Sequence, residues 1–114
     1  METPLETLVG RTAGKVLLYL VHYDEAYPTG VAKDLGLRQN AVQRQLAKLE
    51  DAGYLVSKRT GRTRLYRWNP KSPVAGKLRD FVLVFYEAMS LTERQKLYGN
   101  RRRPRRQGKP VRSK

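Results

Sequence analysis

Residues 29–69 read TGVAKDLGLRQNAVQRQLAKLEDAGYLVSKRTGRTRLYRWN. Thr29 can cap a short helix running to about Leu35, with Val31, Ala32 and Leu35 on its inward side. Gly36 suits the left-handed conformation of a tight turn, and Leu37 follows as an apolar anchor. The spacing then predicts a second helix from Arg38 or Gln39 to Gly53. On it Val42, Leu46 and Leu49 fall within about 60° of one another at roughly 100° per residue. From Leu55 the period changes to two. Leu55–Thr60 and Thr63–Trp68 read as strands, Gly61-Arg62 as the turn between them, and Asn69-Pro70 as the end of the hairpin. Helix, glycine turn, helix and hairpin make a helix-turn-helix followed by a wing.

The outward face of the second helix follows from its inward one. With Val42, Leu46 and Leu49 inside, Asn40, Gln43, Arg44 and Ala47 point out, flanked by Gln39 and Lys48. A major groove admits one α-helix; Asn and Gln can bond adenine edges bidentately, and Arg those of guanine. Glu50 and Asp51 are confined to the far end of that helix. The hairpin segment 58–67, KRTGRTRLYR, carries Lys58, Arg59, Arg62, Arg64 and Arg67 and no acid. Cations on a hairpin beside a groove-reading helix can lie along phosphates or enter the minor groove. A solvated polar face is the bland alternative, and for a lone helix it would be the default. The glycine turn and basic hairpin shift the balance to DNA reading.

Flanking segments complete the domain. Thr3-Pro4-Leu5-Glu6 has the form of a capping box with Pro at the first helical position, and Gly10 ends that helix. Thr12 is the expected cap of the next helix, in which Ala13, Val16, Leu17, Leu20 and Val21 recur to about Tyr23. Residues 24–28 read as a break, and Trp68 as packing on the long helix that follows. That helix starts at Ser72-Pro73, with Val74, Leu78, Phe81, Val82, Phe85 and Met89 in one stripe. Leu83, Val84 and Tyr86 make its middle apolar on other sides. A helix apolar on more than one side buries more than one side, and in a small domain the second meets another chain. Leu78, Phe81, Val82, Val84, Phe85 and Met89 are therefore the dimerisation candidates. Ser90-Leu91-Thr92-Glu93 resembles a further capping box. The fold class is mostly α with a small β-hairpin, a winged helix-turn-helix with a long C-terminal dimerisation helix.

Composition bounds the rest. The chain has 114 residues, 24 Lys+Arg against 10 Asp+Glu, and a net charge of +14. A soluble chain this basic points to a polyanion, most commonly nucleic acid. Residues 101–114 hold six Arg, two Lys and no acid, hence +8. The expected division is a domain over 1–99 and a disordered basic tail over 100–114. No apolar run is longer than the six residues of Phe81–Tyr86, too few for a membrane span. No secretory signal pattern opens the chain, so a cytoplasmic, nucleoid-associated location is expected. Without Cys, thiolate metal sites and Cys nucleophiles are excluded. His22 is the one His; it reads as a packing or surface residue, and no metal is assigned. Tyr19, Tyr23 and Tyr27 read as packing rather than an effector pocket. No nucleophile–base set or phosphate loop appears, so a non-enzyme without cofactor is expected.

Three motifs carry a resemblance. They are Leu35-Gly36-Leu37, the run Leu46-Ala47-Lys48-Leu49-Glu50-Asp51-Ala52-Gly53-Tyr54-Leu55, and the wing Arg59-Thr60-Gly61-Arg62-Thr63-Arg64-Leu65-Tyr66. In them residues 29–69 resemble winged helix-turn-helix regulators of the ArsR type. The resemblance implies a homodimer on a pseudo-palindromic double-stranded operator, often as a repressor. It implies Asn40, Gln43 and Arg44 in the major groove, and Arg59, Arg62 and Arg64 at the wing. Thr29, Gln39, Lys48 and Lys58 complete the expected DNA-binding set. That family often has Ser where Arg38, Asn40 and Gln43 stand, so base preference does not transfer. Its metal-sensing Cys and His pairs are missing, and the basic tail is outside its pattern. The rival readings are a non-specific nucleic-acid or chromatin-binding protein driven by the tail, and a winged-helix protein-interaction subunit.

Overall fold

The structure is a computed structural model that describes residues 2–98. Gly99 and the expected 100–114 tail lie outside the described residues. In chain order the elements are α1 (Pro4–Val9), α2 (Arg11–Tyr23), β1 (Glu25–Ala26), α3 (Pro28–Leu35), α4 (Gln39–Asp51), β2 (Leu55–Thr60), β3 (Thr63–Trp68), α5 (Pro73–Ala88) and α6 (Leu91–Tyr98).

Local chemistry sets most of the helix starts. Thr3 Oγ1 accepts the Glu6 N–H at 3.2 Å, and Pro4 opens α1. Ser72 Oγ accepts the Ala75 N–H at 3.0 Å. Ser90 and Glu93 form the reciprocal box, with bonds of 3.0 and 2.9 Å, that starts α6. Three expectations are corrected. Glu6 does not reach back to residue 3; its carboxylate is buried and pairs with Lys15 of α2 at 3.3 Å. Thr12 is not a cap. Gly10, at φ 106, joins α1 to α2 directly, donating to Glu6 O and accepting from Gly14 N–H, both at 2.8 Å. Thr29 lies within α3, because Pro28, whose ring fixes a helical φ, already starts the helix after Tyr27.

The core is built around α2. Val16, Leu17, Leu18, Tyr19, Leu20 and Val21 are all buried, and Leu5, Val31, Val42, Leu46, Leu55 and Val82 converge on them from the other elements. Each such aliphatic side chain contributes roughly 1.5–3 kcal/mol when fully buried. Around the C-terminal end of α2, Tyr19 donates to Asp34 Oδ2 and Tyr23 to the Tyr98 carbonyl, both at 2.7 Å. The His22 ring stacks on Tyr98 at 4.7 Å and shares a 2.6 Å hydrogen bond with the Tyr86 hydroxyl. These aromatic residues pack α6 and α5 onto α2.

The sheet has three antiparallel strands in the order β1-β3-β2. The hairpin register runs from Leu55↔Trp68 to Thr60↔Thr63, with Gly61 at φ 64 opening its two-residue turn. The third strand corrects the break expected at 24–28. Glu25 and Ala26 pair with Arg67 and Tyr66, filling the open edge of β3. Trp68 is half-buried, and its indole N–H donates to Leu20 O at 3.1 Å, tying the wing to α2 as well.

The apolar stripe of α5 is split. Ala75 and Val82 are buried in this domain's own core, and Leu78, Phe85 and Met89 pack against its edge. Val74, Phe81 and Val84 are 57%, 44% and 65% exposed. Of the dimerisation candidates, then, Val82 faces inward, Leu78, Phe85 and Met89 are half-buried, and Phe81 and Val84 stand out. Periodicity marks a helix's apolar positions but not which of two adjoining faces meets its own domain.

Candidate nucleic-acid interface

Two helices and a hairpin build the candidate surface. At the end of α3, Gly36 takes φ 68, and the Leu37 N–H bonds back to Ala32 O at 2.9 Å. That left-handed residue is what aims α4 away from α3. Val42 and Leu46 are completely buried beneath α4, which fixes the rotation of the helix about its axis. The opposite face carries Gln39, Asn40, Gln43, Arg44, Ala47 and Lys48, every one exposed. These are the side chains whose outward orientation the spacing implied. Thr29 is also exposed, near the start of α3.

Wing and helix are coupled at their base. Ser57 of β2 donates to Glu50 Oε2 of α4 at 2.7 Å, and Arg64 Nη1 reaches Ser57 Oγ at 3.3 Å. Glu50, one of two acids on α4, thus anchors the wing. Below the turn, Leu55 and Tyr66 are buried, while Lys58, Arg59, Arg62 and Arg64 near the tip are exposed. Burial raises the Tyr66 hydroxyl above its ordinary pKa, with Glu50 adding to the effect and Arg64 opposing it.

The register adds something charge counting missed. Arg59 stands directly opposite Arg64. Like charges in directly opposed cross-strand positions disfavour the hairpin. A phosphate between the two guanidinium groups would convert that repulsion into two charge-assisted hydrogen bonds. Arg67 has a different setting, opposite Glu25 of β1. Arg38 was overlooked as a surface group. It is the exposed N-cap residue of α4, and its basic side chain two positions before Asn40 was the available signal.

Among the described residues, no group of three or more His, Asp or Glu is arranged to hold a metal ion. Nor is any helix there long and apolar enough to cross a membrane.

Comparison with known proteins agrees with this architecture. Residues 14–72 match the model of the family described as sugar-specific transcriptional regulator TrmB, a span of more than half the chain. No curated protein sequence matches. Several solved structures are similar in fold. Reduced HlyU from Vibrio cholerae superposes with a TM-score of 0.58 at 17% identity, covering 74% of this chain and 82% of that one. MepR, a transcription regulator of the Staphylococcus aureus multidrug efflux pump MepA, gives 0.56 at 18%, covering 84% and 78%. Reduced AbfR bound to DNA gives 0.54 at 17%, covering 77% and 67%. The family match spans α2 from Gly14 onward, the helix-turn-helix and the whole wing. The chain belongs to the TrmB family of transcriptional regulators.

Proposed function

We infer that this DNA-binding regulator is a homodimer that reads a specific double-stranded operator and represses transcription from it. Helix α4 enters the major groove, and the wing lies on phosphate or in the minor groove. One observation carries the reading. An exposed Asn40-Gln43-Arg44 face sits on a helix locked from behind by Val42 and Leu46, beside a hairpin tip bearing Lys58, Arg59, Arg62 and Arg64. The three α4 side chains have the donors and acceptors that discriminate base edges, while the wing cations suit phosphate. Gln39, Lys48 and Thr29 flank the face and belong to the same footprint.

The homodimer rests on α5 and α1. Phe81 and Val84 are exposed on α5, and Leu8 and Val9 are exposed on α1 at 62% and 40%. A second copy covering such side chains would supply the second α4 helix that a dimeric helix-turn-helix protein sets on its second half-site. The repressor role and pseudo-palindromic operator are what the ArsR-type resemblance of residues 29–69 implies, whereas the family match itself is to TrmB. AbfR, similar in fold, has been solved bound to DNA.

The test is a comparison of two duplexes. A sequence selected from a random library is the operator, and a scrambled duplex is the control. Arg44→Ala should weaken the operator complex by about 1–3 kcal/mol, at least fivefold in Kd, with a much smaller effect on the scrambled duplex. Arg62→Ala should weaken both alike. Equal loss on both duplexes for Arg44→Ala would overturn the specific-reader assignment.

A further inference from the structure

A groove with a volume of about 360 Å³ opens where α1, α2 and α5 meet. Pro4 of α1, and Phe85 and Ala88 of α5 with Met89, form its accessible apolar lining, with the buried Leu5 and Leu18 beneath them. Its polar rim comprises Glu2, Thr3 and Glu93. Small-molecule sites fall in this size range and combine apolar walls with a few polar groups.

The rim chemistry is selective. In a chain with 24 basic and 10 acidic side chains, no Lys or Arg lines this groove, and two carboxylates do. Neither carboxylate is in an ion pair among the described residues, where the pairs are Lys15–Glu6 and Arg79–Asp24. Glu93 Oε1 takes the Ser90 N–H, and Glu2 Oε1 takes a long 3.4 Å bond from Thr7. The second oxygen of each carboxylate has no bond to another described residue.

We propose that this groove is a ligand site for small organic cations, binding an aromatic or alkyl body against Pro4, Phe85, Ala88 and Met89 and an ammonium group at Glu2 and Glu93. The site also has a route to self-association. Phe85 makes an edge-to-face contact with Phe81 at 5.1 Å, and Phe81 lies on the face assigned above to the partner copy. Occupation of the groove therefore shifts the monomer–dimer balance. This second part rests on the proposed homodimer; the binding site itself does not.

Three isosteric probes separate the terms: phenylbutylamine, phenylbutanol and phenylbutyrate. Calorimetric titration of the full-length protein should give affinities in that order, with the amine at least threefold tighter than the alcohol. Glu2→Gln with Glu93→Gln should bring the amine to the level of the alcohol, leaving the alcohol unchanged. Glutamine at 93 keeps an acceptor for the Ser90 N–H. Ala88→Trp, at an exposed position, should fill the groove and abolish binding of all three. Failure of the amine to bind, binding of the butyrate as strong as that of the amine, or a double variant that keeps the preference would each overturn the site. Operator binding by the unliganded protein is measured separately. Its loss with amine binding retained would remove the DNA-reading proposal and leave the ligand site standing. Sedimentation with and without amine tests the coupling, which an unchanged dimer fraction would overturn.

Discussion

Gly14 and Gly76 allow the packing of α1 to be weighed against helix propensity. Both lie inside helices, where replacing Gly by Ala ordinarily stabilises by about 1 kcal/mol. At Gly76 in α5, an added methyl would have nothing within 4 Å, so Gly76→Ala should raise stability by about 0.5–1 kcal/mol. At Gly14 in α2 the methyl would lie 2.8 Å from Glu6 Cγ and 2.9 Å from Glu6 Cα. The side-chain carbon could turn aside. The backbone carbon could not, short of moving α1 outward and drawing Leu5 from the core and Glu6 from Lys15. Overpacking of this kind costs about 1–3 kcal/mol. The propensity gain is common to both variants, so their difference isolates the clash at about 1–3 kcal/mol. For a domain of this size that separates the melting temperatures by about 4 °C or more. Thermal unfolding followed by circular dichroism reads it. If Gly14→Ala melts as high as Gly76→Ala, the close seating of α1 on α2 is wrong, and with it the groove wall that α1 supplies.

Further expectations concern assembly, pH and salt. Val84→Asp changes a side chain that is 65% exposed, so it should leave folding intact and convert a dimer to a monomer in sedimentation; a persistent dimer would move the interface off α5. Burial raises the Tyr98 hydroxyl well above its ordinary pKa. Between that ordinary value of about 10 and the raised one, the unfolded chain loses a proton the native chain keeps, so stability falls as pH rises above about 10. Tyr98→Phe should flatten that fall in denaturant titrations from neutral to strongly alkaline pH. Deleting residues 100–114, with their eight basic side chains, should weaken operator and scrambled duplex equally. It should also reduce the magnitude of the log Kd against log salt slope by up to about 7; a selective loss on the operator would give the tail a sequence-reading role.

The parts legible in the sequence are those in which one residue type has one favoured solution. Ser72 followed by Pro73, Gly36 between two amphipathic runs, and Gly61 between two period-two runs each left little choice. Helix α4 was equally unambiguous, since Val42, Leu46 and Leu49 define a single narrow apolar face. Where two residues offered the same service, neighbours decided. Gly10 and Pro28 pre-empted the caps that Thr12 and Thr29 could have supplied. Strand β1 has two residues and no alternation to detect; it exists because β3 has an edge to fill, which is a tertiary fact. The outward face of α4 followed from its inward one, whereas the two faces of α5 were confounded because Phe81 and Val82 are adjacent and both apolar. The groove beside Phe85 was invisible, since its lining is drawn from residues 2 to 93.

The Arg59–Arg64 register has one more consequence. Added salt is usually expected to act in one direction on such a protein, by loosening its hold on a duplex. At the hairpin tip it acts in two. Mobile anions that compete with phosphate for the complex also screen two guanidinium groups fixed on opposite strands, and so steady the wing of the unbound protein. On the proposed reading, the wing of the unbound protein is thus least cohesive at the low ionic strength where a duplex would hold it most tightly.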